Sequence, residues 1–220
     1  FDASANGRTA FLGEGTWARG NYGANTGLGF LSMTAHCGAI EGHGCSAQPQ
    51  NWKFYRTRGV MGANISSSMK DITDGTSRTI LAAEIRSGVS PSDVRGTWAM
   101  EGAGPSAVAA HGFVGDARGP NCSFLLSDDI AACAVARADV GGAEAMAQLG
   151  MGCFPSSGAD NRQACPRSMH PNGINVVLCD GSVQWISDFI EVSSVAGQIS
   201  VWDHLNLASD INRDRTPIAA

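Results

Sequence analysis

The stretch SMHPNGINVVLCDGSVQWISD (residues 168–188) carries the strongest fold signal in the chain, an Asp-Gly pair between two runs of strand-forming residues. Asp180-Gly181 predicts a β-hairpin with a two-residue turn, because a type I′ turn requires positive φ at both central positions. The register of such a turn places five apolar side chains on one face, which is expected to pack on the core: Ile174, Val176, Leu178, Val183 and Trp185.

His170 and Asp180 have the composition of a catalytic or metal-binding pair, but a regular strand separates them. The strand from Ile174 to Asp180 spans about 20 Å at roughly 3.3 Å per residue. A dyad within the hairpin is therefore not expected. We predict instead that His170 holds the open end of the hairpin by hydrogen bonds, with Asp188 within its reach, and that Asp180 is a turn residue.

A second turn is predicted in residues 71–77 (DITDGTS), where Asp74-Gly75 and Thr76 are typical turn residues. The side-chain oxygens of Asp74 and Thr76 are expected to cap the turn. The following run, residues 78–85, favours a strand or a short helix. Glu84 lies within this apolar run and would need a partner when buried. Three arginines are candidates for that partner: Arg78, Arg86 and Arg95.

The composition excludes several classes of function. The 220 residues are 43% hydrophobic and 16% charged, with a net charge of −5. Without a basic stripe, binding to nucleic acid or to an anionic membrane surface is not expected. The abundance of glycine favours a β-rich single domain over residues 1–220. Residues 102–168 are rich in small residues and hold four cysteines, which predicts a loop-rich insertion with one helix near residues 140–149.

Six of the seven cysteines form pairs that are close in sequence: Cys37 and Cys45, Cys122 and Cys133, and Cys153 and Cys165. No CxxC unit occurs, so a zinc ribbon is not expected. The spacing predicts three local disulfides and an exported protein, although six cysteines permit many other connectivities.

Metal sites and active sites have only weak support in the sequence. Asp210, Asn212 and Asp214 have the alternate spacing that opens a calcium loop, but the later ligands of such a loop are missing. Calcium is thus a weaker alternative to a solvated polar tail, and residues 36–45 are interpreted as a disulfide loop instead of a metal site. No nucleophile elbow, phosphate-binding loop or dinucleotide fingerprint occurs, so neither an enzyme nor another cofactor is expected. Trp98, in a predicted strand at residues 95–100, and Trp185 are expected to be buried.

Several ordered motifs resemble those of a large family of prepilin-like exported proteins that is abundant in planctomycetes. The C-terminal signature of that family is a His, nine residues and Asp-Gly, and a second signature reads ITDGTSNTILVGE. The matching positions here are His170 with Asp180-Gly181, residues 72–84 (ITDGTSRTILAAE), Arg95-Gly96 with Trp98 for RGxW, residues 21–25 for NYAAN, and Val201-Trp202 for the closing VW.

The resemblance implies an α+β fold with a pilin-like antiparallel β-sheet head. That head would carry residues 102–168 as a long disulfide-stapled loop insertion and residues 170–188 as the His-X9-Asp-Gly hairpin. Type IV pilins and pseudopilins also have a hydrophobic N-terminal helix, which this chain lacks. Because the chain begins at Phe1 without a Met, we expect a mature or truncated form. Pseudopilin heads use calcium in C-terminal loops.

The expected function is that of a non-enzymatic, extracytoplasmic structural protein. It would be a pilin-like subunit of a filament or surface layer, or an accessory subunit of a larger envelope complex. Its partners would be proteins, through self-assembly or docking, and membrane contact would come only through the missing helix. The alternative is an extracellular module that binds a ligand or polymer through residues 102–168, since long loops on a rigid scaffold often carry binding sites.

Overall fold

The computed structural model describes residues 18–28, 58–62, 65–100, 102–109, 119–155, 163–192 and 199–209. In these ranges the strands are β1 (Tyr22–Asn25), β2 (Met61–Gly62), β3 (Ile65–Ser66), β4 (Ile80–Glu84), β5 (Ala107–Val108), β6 (Asp128–Ile130), β7 (Cys153–Pro155), β8 (Gly173–Leu178) and β9 (Val183–Ser187). The helices are α1 (Cys133–Asp139), α2 (Ala143–Gln148) and α3 (Val201–Asn206), and a 3-10 turn covers Met69–Asp71.

The main sheet has five strands in the order β5-β1-β4-β8-β9. Neighbouring strands are antiparallel except for β1 and β5, which run parallel. The register places Tyr22 opposite Glu84 and Asn175 opposite Trp185. The predicted α+β class is confirmed, while the parallel β5 makes the sheet mixed and not wholly antiparallel.

The inner face of the sheet packs on a single apolar cluster with helix α3. Ser200 starts this helix through a capping box, in which its hydroxyl accepts the Asp203 N–H and the Asp203 carboxylate accepts the Ser200 N–H. The cap places Trp202 against the sheet, where it is 1% exposed. The other buried members of the cluster are Ile80, Ala83, Ile85, Val108, Ile174, Val176, Leu178 and Ile186. Burial of each large side chain contributes about 1.5–3 kcal/mol.

The hairpin has a three-residue loop, not the predicted two-residue turn. The Gly181 N–H donates to the Leu178 carbonyl at 2.9 Å, and the Leu178 N–H donates to the Ser182 carbonyl at 2.9 Å. Gly181 has φ +85 whereas Asp180 is not among the residues with positive φ. This is a turn closed by one left-handed residue, the usual three-residue hairpin loop. Asp-Gly is compatible with both loops, because only the glycine must be left-handed in the longer one.

The extra loop residue shifts the pairing by one position, and this shift reverses which side chains of the second strand face the core. Val177 pairs with Val183, and Asn175 pairs with Trp185. The predicted burial of Ile174, Val176 and Leu178 is confirmed. The predicted burial of Val183 and Trp185 is wrong, because these side chains are 66% and 48% exposed.

The side of the sheet opposite the core is here called the outer face. Alternation along the strands assigns nine side chains to it: Tyr22, Ala24, Ala82, Glu84, Asn175, Val177, Val183, Trp185 and Ser187. Trp98 lies beside Tyr22, since its indole N–H donates to the Tyr22 carbonyl at 3.0 Å. Trp98 is 62% exposed and lies in a turn, so both the strand predicted at residues 95–100 and its burial were wrong.

The segment predicted to be an insertion contains regular structure where it is described. Strands β6 and β7 pair in parallel, and the helix expected near residues 140–149 is present as α2, whereas α1 was not predicted. A disulfide joins Cys133 of α1 to Cys153 of β7. Five further buried side chains pack around the bridge: Val94, Ile130, Ala136, Met146 and Met151.

This disulfide overturns two of the predicted pairings. Cys122–Cys133 and Cys153–Cys165 are both wrong, because Cys133 and Cys153 bond to each other. The reason is the parallel pairing of β6 with β7, which brings β7 back beside the helix that follows β6. Cys37 and Cys45 lie outside the described residues. Among the described residues, no helix combines the length and apolar character needed to cross a membrane.

Candidate functional site

The end of strand β4 places a nearly buried carboxylate, Glu84, on the outer face. Its Oε2 accepts the backbone N–H of Asn175 at 2.7 Å, and its Oε1 accepts the Asn175 side-chain amide at 3.3 Å. The Glu84 carbonyl accepts the N–H of Arg167 at 2.8 Å. The carboxylate thus continues the contact between β4 and β8 beyond their last backbone pair, Ala83 with Val176. None of the three predicted arginine partners contacts Glu84 through a described ion pair.

His170 is the side-chain partner of Glu84 at the open end of the hairpin. Its Nε2 lies 3.2 Å from Glu84 Oε1, and its side chain is 53% exposed while that of Glu84 is 11% exposed. The imidazole meets the indole of Trp185 edge to face, with ring centroids 5.8 Å apart. His170 therefore joins the open end of the hairpin to β4. The prediction placed His170 at this end with Asp188 within its reach, but the carboxylate that it contacts is Glu84.

Asp188 is held by a separate residue, Asn121, which no sequence signal identified. The Asn121 amide donates to Asp188 Oδ1 at 2.9 Å and to the Gly173 carbonyl at 3.2 Å. The side-chain Oδ1 of Asn121 accepts the backbone N–H of Ser168 at 2.7 Å. The Ser168 hydroxyl in turn accepts the backbone N–H of His170 at 3.0 Å. Asn121 thus fixes the loop that presents His170.

Two aromatic side chains flank this polar centre. Trp185 lies over Gly173, where an added Cβ would come within 2.6 Å of two indole carbons. Tyr22 lies on the other side of Glu84 and is 39% exposed. Partial burial raises the pKa of Tyr22, and a hydrogen bond and charge from Glu84 raise it further. Tyr22 and Trp185 are three strand spacings apart, or about 14 Å.

An open groove of about 360 Å³ adjoins Glu84 and His170. Its walls come from the residue before β1, from the end of β4 and its continuation, and from the segment that leads into the hairpin: Asn21, Glu84, Ile85, Arg86, Ser87, Arg167, Ser168, Met169 and His170. The groove places cationic, hydroxyl and apolar groups around one carboxylate.

The two Asp-Gly turns of the sequence motifs meet at the other end of the sheet. Gly75 has φ +100, and its carbonyl accepts the Arg78 N–H at 3.0 Å. The Thr76 carbonyl accepts the Asp180 N–H at 3.1 Å. Asp74 lies in the turn immediately before Gly75.

Asp180 is a turn residue in the structure. Its Oδ1 accepts the hydroxyl and the N–H of Ser182 at 2.7 and 2.9 Å. These two hydrogen bonds lower the pKa of Asp180. The hairpin strand separates Asp180 from His170. Asp180 therefore stabilises the turn at one end of the sheet, and His170 contacts Glu84 at the other end.

Beneath the groove lies a buried network of two arginines and two aspartates. Arg95 donates twice to the Asp93 carboxylate, at 2.9 and 2.8 Å, and once to Asp128 at 2.8 Å. Arg167 makes a two-pronged contact with Asp128, at 3.0 Å on each oxygen. All four side chains are at most 1% exposed. The network connects two residues that precede the 102–168 segment, Asp93 and Arg95, with two that lie within it, Asp128 and Arg167.

The balance of charges favours the ionised form of Asp128. Burial would raise the pKa of Asp128, but the charges of Arg167 and Arg95 outweigh burial and lower the pKa. The arginine of the predicted RGxW motif is therefore a buried structural cation and not the partner of Glu84. Its burial could not be read from the motif, because its second partner, Asp128, lies far along the chain.

The site offers hydrogen-bonding and aromatic surfaces more readily than a reacting group. Both oxygens of Glu84 accept hydrogen bonds from neighbouring side chains or backbone. Within the described ranges, no group of three or more His, Cys, Asp or Glu side chains is placed to hold a metal ion. The calcium candidates Asp210, Asn212 and Asp214 and the segment 36–45 lie outside those ranges.

Comparison with known proteins identifies the family but no named relative. No curated protein and no solved structure matched the chain significantly. The sequence model of one family, described as Protein of unknown function (DUF1559), matches residues 8–193. That range includes the Glu84 site, the buried arginine network and the hairpin, and the chain therefore belongs to the DUF1559 family.

Proposed function

We propose that this chain is a non-enzymatic, extracytoplasmic structural protein that works by assembly, as a pilin-like subunit. The observation that carries the proposal is the exposed edge of the main sheet. Strand β9 is the last strand of the sheet order and contains no charged residue between Val183 and Ser187. Proteins commonly protect such edges with charges, because an unpaired strand can pair with another chain.

The side chains at this edge add apolar area to a backbone that pairs with no further strand among the described residues. Val183 and Trp185 point outward from β9, and Met169 and Phe189 at the open end of the hairpin are 77% and 83% exposed. Clustered exposed apolar side chains mark interaction sites in soluble proteins. The favoured occupant is a second copy of the chain, since two identical edges can pair about a two-fold axis. A larger envelope complex is the other assembly in which such an edge would serve.

Two further features support the proposed extracytoplasmic location and the proposed non-enzymatic role. The Cys133–Cys153 bridge favours an oxidising compartment, because disulfides are rare in the cytosol. The Glu84 carboxylate is committed to hydrogen bonds with the protein, which favours a structural role over acid–base chemistry. The ordered match to motifs of prepilin-like exported proteins supports the pilin-like assignment.

Sedimentation velocity and negative-stain electron microscopy test the proposal. The native protein should associate as its concentration rises and form regular oligomers, filaments or lattices. Val183→Lys/Trp185→Lys should abolish association, because two lysines on one edge repel a second copy. Phe124→Lys changes another exposed aromatic, 61% accessible and distant in sequence, and should leave association intact. A native protein that stays monomeric, or equal loss in the Phe124→Lys control, would contradict self-assembly through β9.

Ligand binding on the outer face is a second candidate function. Tyr22 and Trp185 flank Glu84, Asn175 and His170, and aromatic faces beside polar groups suit a neutral sugar chain. Calorimetric titration with neutral oligosaccharides tests this function. A saturable signal that Trp185→Ala removes would favour it, and an absence of heat at millimolar oligosaccharide would count against it.

A further inference from the structure

Cys122 and Cys165 form a buried cluster of their own. They are 7% and 1% exposed, and their side chains pack against each other. The chain segments that carry them lie side by side, because the Asn121 N–H donates to the Pro166 carbonyl at 3.0 Å. The Cys122 carbonyl also accepts a hydrogen bond from the Arg167 guanidinium. A disulfide needs about 4.4–6.8 Å between the two Cα atoms, and these contacts bring the two cysteines side by side as such a bond requires.

We propose that Cys122 and Cys165 form a second disulfide when the protein meets a disulfide oxidant. The pairing differs from the nearest-neighbour pairs that the spacing predicted, and it encloses the Cys133–Cys153 bridge in sequence. It accounts for two buried cysteines that no part of the Glu84 site uses. The inference does not depend on the assembly role, because the bridge would form in any suitable oxidising environment.

The oxidation is balanced by an external disulfide such as oxidised glutathione. The thiolate of Cys122, the more accessible of the two, attacks the external disulfide and releases one thiol. The thiolate of Cys165 then attacks the Cys122 sulfur of the mixed disulfide and releases the second thiol. The two cysteines lose two electrons and two protons, and the external disulfide gains them. The reaction belongs to folding, before the pair is buried, because the thiol form of Cys165 is protected: its pKa is raised by hydrogen bonding to Cys122 and by burial.

The bridge would close the base of the 102–168 segment next to the candidate site. Asn121, adjacent to Cys122, holds Ser168 and the hairpin. Arg167, two residues after Cys165, holds Asp128. The covalent link would therefore fix the spacing between the support of His170 and the buried ion network.

Peptide mapping without reduction tests the pairing on the wild-type chain. The protein is refolded in a glutathione redox buffer, and remaining thiols are blocked with iodoacetamide. Trypsin alone leaves Cys122 and Cys133 in one peptide, residues 119–137, so Asp-N is added to cleave before Asp128. The expected species links residues 119–127 to residues 163–167. Recovery of both peptides alkylated and unlinked, or of Cys122 linked to Cys133, would overturn the proposal.

A melting comparison separates a covalent link from simple packing. Cys122→Ala/Cys165→Ala should melt roughly 5–15 °C below wild type under oxidising conditions, and most of this gap should close in reductant. Cys179→Ala, which removes another buried thiol, should give a small shift that does not depend on the oxidant. A gap of equal size with and without reductant would show that the pair only packs.

Discussion

Asp128 occupies the position on which the buried charges of this protein depend. It is fully buried and contacts both Arg95 and Arg167, and its Oδ1 also accepts the Cys165 N–H at 3.1 Å. The negative charge of this carboxylate balances two buried arginines, which would otherwise lack enough negative charge nearby. Replacing the whole network by apolar residues can be harmless, but removing one member leaves an uncompensated charge.

Asp128→Asn is predicted to lower the free energy of unfolding by about 3–5 kcal/mol. The amide keeps the shape of the side chain but removes the negative charge that Arg167 and Arg95 share. Urea denaturation followed by circular dichroism measures the change. Asp139→Asn, at the exposed end of α1, is the matched control and should change stability by less than about 0.5 kcal/mol. Similar values for the two variants would contradict the role given to the network.

Acid should destabilise the protein through the same carboxylate. The folded-state pKa of Asp128 is lowered, while in the unfolded chain it is about 3.9. Its stabilising contribution is therefore fully present above the unfolded pKa and is lost as pH falls through the lower, folded pKa. Urea midpoints should be flat near neutrality and should fall below about pH 4–5. The Asp128→Asn variant should lose less stability over that acidic range than wild type; parallel curves would argue against Asp128 as the titrating group.

At the scale of elements, the hairpin loop decides which side chains face outward. A two-residue loop would have buried Trp185, whereas the observed three-residue loop places it beside His170. Only Gly181 in this loop has positive φ. The loop, and with it the composition of the outer face, therefore rests on one left-handed residue.

Gly181→Ala is predicted to cost about 1–2 kcal/mol through backbone conformation alone. No atom lies within 4 Å of the Cβ that alanine would add, so a steric clash does not contribute. Gly181→Asn should cost less, because asparagine tolerates the left-handed region better than alanine. Thermal melts of the two variants measure the difference. Equal melting temperatures for alanine and asparagine would indicate that the loop changes conformation in the variants.

The hairpin also shows how far sequence reasoning reaches. Alternation in residues 174–178 predicts the buried face of β8 correctly, since that strand does not depend on the loop length. The face of β9 does depend on it, and Asp-Gly suits both loops. The candidate site shows the same limit: the apolar run predicts that Glu84 needs a partner, but His170 reaches it only through the pairing of β4 with β8. Cysteine spacing likewise could not reveal that β7 returns beside α1.

At the scale of the whole molecule, buried ions link two of the apolar clusters that the described residues form. One cluster lies between the sheet and α3, and the other surrounds the Cys133–Cys153 bridge. Arg95 and Arg167 meet Asp128 between them, and both also donate to backbone carbonyls of residues 150–152. The two parts should therefore unfold together as long as the ion network is intact.

Hydrogen exchange measures this coupling directly. In the wild-type protein, slow amides of β8 and of α1 should exchange with similar opening free energies, because one cooperative unit contains both. Asp128→Asn should separate them, with α1 opening at a lower free energy while β8 keeps more of its protection.

Cys133→Ala/Cys153→Ala is the comparison variant: it should destabilise α1 and β7 by about 2–4 kcal/mol while the charges between the clusters remain paired. If Asp128→Asn lowered protection equally in β8 and α1, the ions would stabilise the molecule without coupling its halves, and the connection would have to run through packing alone.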